Sequence, residues 1–247
     1  ENDGALINRL GFNNDGMEII KNRIKSKKKK GIIGINIGPN KNTKDQKNDF
    51  CLGLKNFFNK ADYITINISS PNTPGLRNFH NEDKLNDLLE SLNEIKKENK
   101  TKIPLLLKVS PDIEVSYISE ISDIAIRNGI SAIILTNTSN ANRENLINEM
   151  KKEEGGLSGV PLQQISTSMI KKFYKQLKGK IPIIGVGGVD SGKSAYEKII
   201  AGASLLQLYT GFVYKGPMIV KNIKKELIQI LKAEGVSSIE EVIGKGL

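Results

Sequence analysis

The sequence predicts a parallel α/β fold, a (β/α)8 barrel of the TIM type, with about six of its eight βα units present in 247 residues. Three observations lead there. Six short apolar runs recur along the chain, and a helical pattern follows each. The runs are near-continuous in Ile, Leu and Val rather than alternating, as strands covered on both faces require. Polar groups or glycines stand at the C-terminal end of every run. An open doubly wound sheet concentrates its site at one switch point, whereas a barrel gathers residues from all its strand ends. The spread of these residues selects the barrel.

The first run is "GIIGINIG" (31–38), which carries Asn36 and precedes a helical face of Phe50, Leu54, Phe57 and Phe58. "YITINIS" (63–69) carries Asn67 and runs into a loop, "SPNTPGLR", before a helix marked by Leu85, Leu88, Leu89 and Leu92. "PLLLKVS" (104–110) holds Lys108 and is followed by Ile118, Ile121, Ile124 and Ile126. "AIILTNT" (132–138) ends in Thr136, Asn137 and Thr138, ahead of a helix with Ile165, Met169, Ile170 and Phe173. "IPIIGVGG" (181–188) closes on Gly187 and Gly188, then Tyr196, Ile199 and Ile200 share a face. "SLLQLYTG" (204–211) brings Tyr209 and Thr210, and Ile219, Ile223, Leu227, Ile230 and Leu231 complete the series. No linker or composition shift divides the chain, so residues 1–247 read as one domain.

Composition narrows the function. No apolar run reaches the ~18 residues that span a bilayer, and the N-terminus has no signal-peptide pattern. A single cysteine, Cys51, excludes an internal disulfide framework and points to a reducing compartment. With one histidine and one cysteine, no His/Cys metal site is expected. The net charge of +10 raises the question of nucleic acid. The densest run, "KSKKKK" (25–30), has no interleaved aromatics for base stacking and reads as a solvated helix end, so no nucleic-acid partner is expected.

The strand ends carry the chemistry. "GVGGVDSGKSA" (185–195), "YTGFVYKGP" (209–217) and "GGLSG" (155–159) place glycines where backbone N–H groups can approach an anion. Barrels often bind phosphate between their last two loops, and three clusters favour that reading over tight turns alone. Lys108 ends an apolar strand, so its ammonium is expected to face the barrel mouth and contact a ligand or cofactor. Asn8, Asn36, Asn67, Asn72 and Asn137 together describe neutral donors and acceptors suited to a planar heterocycle. His80, in "RNFHNED", is expected to be exposed and not catalytic, and Cys51 lies in a helical pattern. Ser70 is left as the base, which an unactivated serine can be only in a closed, dry site.

Taken in order, "NRLGFNN" (8–14), "GINIG" (34–38), "NISSPNTPGLR" (67–77), "LKVSPD" (107–112), "TNT" (136–138), "GGLSG" (155–159), "IIGVGG" (183–188) and "GASLLQLYTGF" (202–212) resemble dihydroorotate dehydrogenase over essentially the whole chain. The serine in "SSPN" is similar to that of class 2, the membrane-associated, quinone-reducing branch; class 1 enzymes carry a cysteine there. The resemblance implies FMN-dependent oxidation of dihydroorotate to orotate in pyrimidine synthesis, with a membrane quinone as electron acceptor. It implies Ser70 as the base at C5, with Thr73 and Phe12 shaping the proton's exit. Asn8, Arg9, Leu10, Gly11, Phe12, Asn67, Asn72, Asn137 and Thr138 would hold the substrate. Asn36, Asn67, Lys108 and Thr136 would contact the flavin, and Gly159, Gly188, Tyr209 and Thr210 its phosphate.

Family members also have an N-terminal amphipathic helix pair and two further strands with a "GxDK"-type lysine ahead of the "NRLGF" loop. The chain is therefore expected to be a fragment, with peripheral membrane contact through that region. The expected location is the cytoplasmic side of a bacterial inner membrane, or the mitochondrial inner membrane in a eukaryote. Alternatives are a flavin oxidoreductase for another dihydropyrimidine, or an inactive polyanion-binding barrel remnant.

Overall fold

The computed structural model describes residues 2–26, 31–141 and 143–247. In chain order the elements are β1 (Ala5–Asn8), α1 (Met17–Ser26), β2 (Gly34–Ile37), α2 (Gln46–Phe57), β3 (Tyr63–Asn67), α3 (Glu82–Glu98), β4 (Leu105–Val109), α4 (Tyr117–Arg127), β5 (Ala132–Leu135), β6 (Gly156–Gly159), α5 (Gln163–Leu177), β7 (Ile183–Val186), α6 (Gly192–Ile200), β8 (Ala203–Gln207), α7 (Thr210–Lys215) and α8 (Ile219–Ala233). The lysines 27–30 of the basic run lie outside the described residues.

All six predicted strands form, and they pair in parallel in the order β2-β3-β4-β5-β7-β8. Among the described residues β2 and β8 do not pair with each other, so the sheet is an arc with two free edges. Alternation along each strand sorts side chains to the two faces. Ile64, Ile66, Leu105, Leu107, Val109, Ile133, Leu135 and Ile183 join the apolar layer shared with α2, α3, α4 and α5. Leu106, Ala132, Ile134 and Ile184 pack on the opposite, concave face, with Tyr63 and Val186 against them. By the same alternation Asn67 and Lys108, direct partners in the β3–β4 register, belong to the concave face. A third cluster, with Val189, Ala195, Ile199, Ile219, Ile223 and Leu227, joins α6 to α8.

Local sequence fixes the helix starts. Asp45 and Asn81 cap α2 and α3 through their side chains, and Ser191 with Ser194 forms a reciprocal capping box on α6. Two further strands were not predicted. β1 and β6 pair antiparallel, Asn8 opposite Gly156 and Ala5 opposite Gly159, as a separate two-stranded sheet. "GGLSG" is thus a strand and not only flexible backbone.

Candidate active site

A cavity of about 580 Å3 opens at the C-terminal ends of β4, β5, β7 and β8. It gathers Asn8, Lys108, Thr136, Asn137, Thr138, Gly159, Gly188, Tyr209 and Thr210, nine of the predicted residues. The β1–β6 pair supplies one wall. Tyr214 pins that wall by donating its hydroxyl to the Ala5 carbonyl at 2.7 Å.

One side of the cavity is built from backbone. Gly159 has φ +99°, and a Cβ there would lie 2.2 Å from the Gly4 carbonyl and 3.1 Å from Thr210 Cγ2. At Gly188, φ +71°, a Cβ would meet the backbone of Gln163, the first residue of α5, at 2.7–2.8 Å. Only glycine lets these segments close up. Thr210 Oγ1 donates to Ser158 Oγ at 2.8 Å, which ties α7 to β6. Asp190 also lines this side, yet Lys215 neutralises it at 2.7 Å. Burial alone would raise the Asp190 carboxyl; Lys215, Ser194 and Ser191 more than reverse this and hold it below the usual carboxylate range. In the sequence Asp190, Ser158 and Lys215 are ordinary polar residues of glycine-rich segments. Only the fold brings together the Asp190–Lys215 charge pair and the Ser158–Thr210 hydrogen bond.

The other side is built from amides and hydroxyls. Asn137 Nδ2 donates to Asn67 Oδ1 at 3.2 Å and to Ser69 Oγ at 2.9 Å. Asn67 Oδ1 also accepts from the Ser69 N–H and hydroxyl. Ser70 is buried, and its Oγ accepts from the Asn72 N–H at 3.3 Å. Asn72 Nδ2 in turn donates to the Asn8 carbonyl at 3.1 Å. Asn67, Ser70 and Asn72 do not line the cavity themselves; they reach it through Asn137 and Asn8. Behind the serine loop, Asp112 accepts from Arg77 Nη2 at 3.0 Å, from Ser139 Oγ at 2.5 Å and from the Asn140 N–H at 3.0 Å. One carboxylate thereby ties three loops together. Lys108 stands in the wall without a hydrogen bond or ion pair among the described residues, and burial pushes its ammonium down.

Five predicted residues lie elsewhere. Asn36, Gly11 and Phe12 line a second cavity of about 630 Å3 beside the free β2 edge, where the Phe12 ring packs against Gly38. The exposed Arg9 donates to Glu153 at 2.8 Å, and Leu10 is 64% exposed. His80 requires a correction. The expectation of exposure fails, because the 3-10 turn Leu76–His80 folds inward and leaves the ring only 6% exposed. Burial lowers it to about 4, the neutral form at physiological pH, and its Nε2 has no partner in the described structure. Cys51 is half-buried on α2. Among the described residues no His, Cys, Asp and Glu cluster could hold a metal ion, and no helix is long and apolar enough to cross a membrane.

The arc and its cavity define a barrel-type α/β protein with its site at the strand C-termini. The family model for dihydroorotate dehydrogenase matches residues 1–231. A dihydroorotate dehydrogenase (quinone) of Bartonella tribocorum is 43% identical over 244 residues, covering 97% of this chain and 68% of that protein. One from Idiomarina loihiensis is 45% identical over 231 residues, covering 91% and 69%. The crystal structure of the Eimeria tenella enzyme with ferulenol superposes with a TM-score of 0.93 at 33% identity, covering 99% of this chain and 72% of that one. The chain belongs to the dihydroorotate dehydrogenase family.

Proposed function

We propose that the chain oxidises dihydroorotate to orotate in pyrimidine synthesis, holding FMN and passing the electrons to a quinone. The observation that carries this reading is one cavity combining a glycine-backed anion seat, an unpartnered lysine and a network of neutral amides. FMN fits that set. Gly159, Gly188, Tyr209 and Thr210 would hold its phosphate, and Lys108, Thr136 and Asn67 its ring. Residues 1–247 would act as the flavin-binding barrel unit; Asn36, expected by family likeness to contact the ring, lines the separate cavity beside β2. When bound, FMN supplies the acceptor for the electron pair and hydrogen lost from substrate C6.

The chain's own residues handle the proton. Ser70 Oγ takes the C5 proton as the ring carbon–carbon double bond of orotate forms. It gives its own proton toward Thr73, buried in the same loop; by family likeness Phe12 would shape that exit, although its ring here packs against Gly38. Burial of Ser70 and Thr73 limits the contact of this route with bulk water. The Asn72 N–H, donating to Ser70 Oγ, orients the hydroxyl. Asn8, Asn67, Asn72, Asn137 and Thr138 provide donors and acceptors for the pyrimidine ring, with Arg9, Leu10 and Gly11 in the adjoining loop. Lys108, on the concave face, stabilises negative charge that develops beside it. The quinone and peripheral membrane attachment, at a bacterial inner or a mitochondrial inner membrane, complete the reading by family.

Ser70→Ala should retain FMN while slowing flavin bleaching by dihydroorotate ~10²–10⁴-fold, the usual span for a lost general base. Anaerobic stopped-flow absorbance measures this directly. Bleaching at the parent rate would remove Ser70 from the chemistry.

A further inference from the structure

Lys198 lies in "SAYEKII", where it reads as an ordinary surface lysine of a helix. The fold buries it completely. Its Nζ donates to three neutral oxygens of α5: Ser166 Oγ and Thr167 Oγ1 at 3.1 Å, and the Gln163 carbonyl at 3.3 Å. Among the described residues no carboxylate lies within 4.0 Å of it. The neighbouring Glu197 accepts instead from Gln163 Nε2 at 2.7 Å. Desolvation drives the Lys198 ammonium down to about 7. A buried cation satisfied only by neutral acceptors is unfavourable, and an apolar side chain would fill the same space at less cost.

The bonds lead to the cavity. Ser166 Oγ donates to the Val186 carbonyl at 2.5 Å, and that carbonyl also accepts from the Thr136 N–H at 2.9 Å. Two steps from the ammonium therefore reach the ends of β7 and β5, and Thr136, Val186, Gly187 and Gly188 all line the cavity. Gln163, whose carbonyl Lys198 holds, is the residue on which Gly188 rests. A Cβ at Gly187 would likewise lie 3.0 Å from Ser166 Cβ.

We propose that Lys198 is a positioning residue for the anion seat, setting the start of α5 against the ends of β5 and β7 so that the Gly187–Gly188 backbone grips a phosphate monoester. The inference rests on the flavin reading of the cavity. It assigns Lys198 to discrimination between a phosphorylated ligand and its unphosphorylated counterpart, beyond any share in packing.

The test compares FMN with riboflavin, titrated by flavin fluorescence against wild type and Lys198→Met. Wild type should prefer FMN strongly. The variant should lose about tenfold or more of that preference, the scale of a lost charge-assisted hydrogen bond, with riboflavin affinity little changed. An unchanged preference would overturn the proposal, whether both affinities hold or fall together, since damaged packing weakens both ligands alike. Ser166→Ala covers the case in which the first variant does not fold. It keeps Lys198 in place but cuts its link to the Val186 carbonyl, and should reduce the preference about threefold. Full preference in Ser166→Ala would overturn the proposal equally. A wild type that fails to prefer FMN would instead remove the flavin reading itself, a result distinguishable from either variant outcome.

Discussion

The two sides of the cavity reach the same end by opposite means. Beside β7 and β8, shape comes from backbone packed on backbone, with Gly159 against Gly4 and Gly188 against Gln163. Beside β3 and β5, shape comes from side chains, with Asn137, Asn67 and Ser69 sharing one hydrogen-bond cluster. A backbone wall tolerates no added atom but needs no particular donor. A side-chain cluster accommodates small changes in volume but fails when a donor is removed. The first suits a ligand group recognised by charge and shape, the second one recognised by its pattern of donors and acceptors.

The largest expected effect is Gly188→Val. Its left-handed φ and the overlap with Gln163 should cost about 3 kcal/mol or more of stability and abolish FMN retention. Thermal melting with flavin titration checks this, and a variant that melts with wild type and stays yellow would break the contrast from the backbone side. Asn137→Ala attacks the other side. It strips a donor from Asn67 and Ser69, so the KM for dihydroorotate should rise roughly tenfold to a hundredfold while FMN affinity holds. Equal losses of flavin and substrate in steady-state and binding assays would erase the distinction.

Lys108→Ala tests where the two sides meet. Loss of a cation worth about 1–2 kcal/mol beside the reduced flavin should lower its potential by roughly 20–45 mV, and an unchanged spectroelectrochemical midpoint would place the lysine elsewhere. The smallest effect at neutral pH is His80→Asn. Because burial holds His80 near 4 against an ordinary 6.5, the unfolded chain takes up a proton in that window that the folded chain refuses. Stability therefore falls as pH drops from about 6.5 to 4, and the variant should flatten that limb of a urea-denaturation series while matching wild type above pH 7. Parallel curves throughout would mean that His80 is not the group responsible.

Much of this was legible in the sequence. The six parallel strands are continuous apolar runs, and burial on both faces leaves no other composition open to them. The backbone wall at Gly159 and Gly188 was legible because positive-φ backbone and close approach both demand glycine. β1 and β6 were not, since "ALIN" and "GLSG" are only four residues each, and their pairing joins segments far apart in the chain. His80 sits among Arg, Asn, Glu and Asp in sequence, and only the inward 3-10 turn reveals its burial. Lys198 has the same difficulty, because a helix shows which residues share a face but not how deeply a neighbouring helix covers one of them.

The β1–β6 pair also has a consequence in time. Asn8 waits for Gly156, 148 residues further on, and closing so long a loop brings no reward until most of the chain is in place. The neighbouring βα units can assemble from local contacts as they emerge from the ribosome, but this wall cannot. The cavity wall therefore depends on a long-range closure that the local pairings of neighbouring βα units do not require.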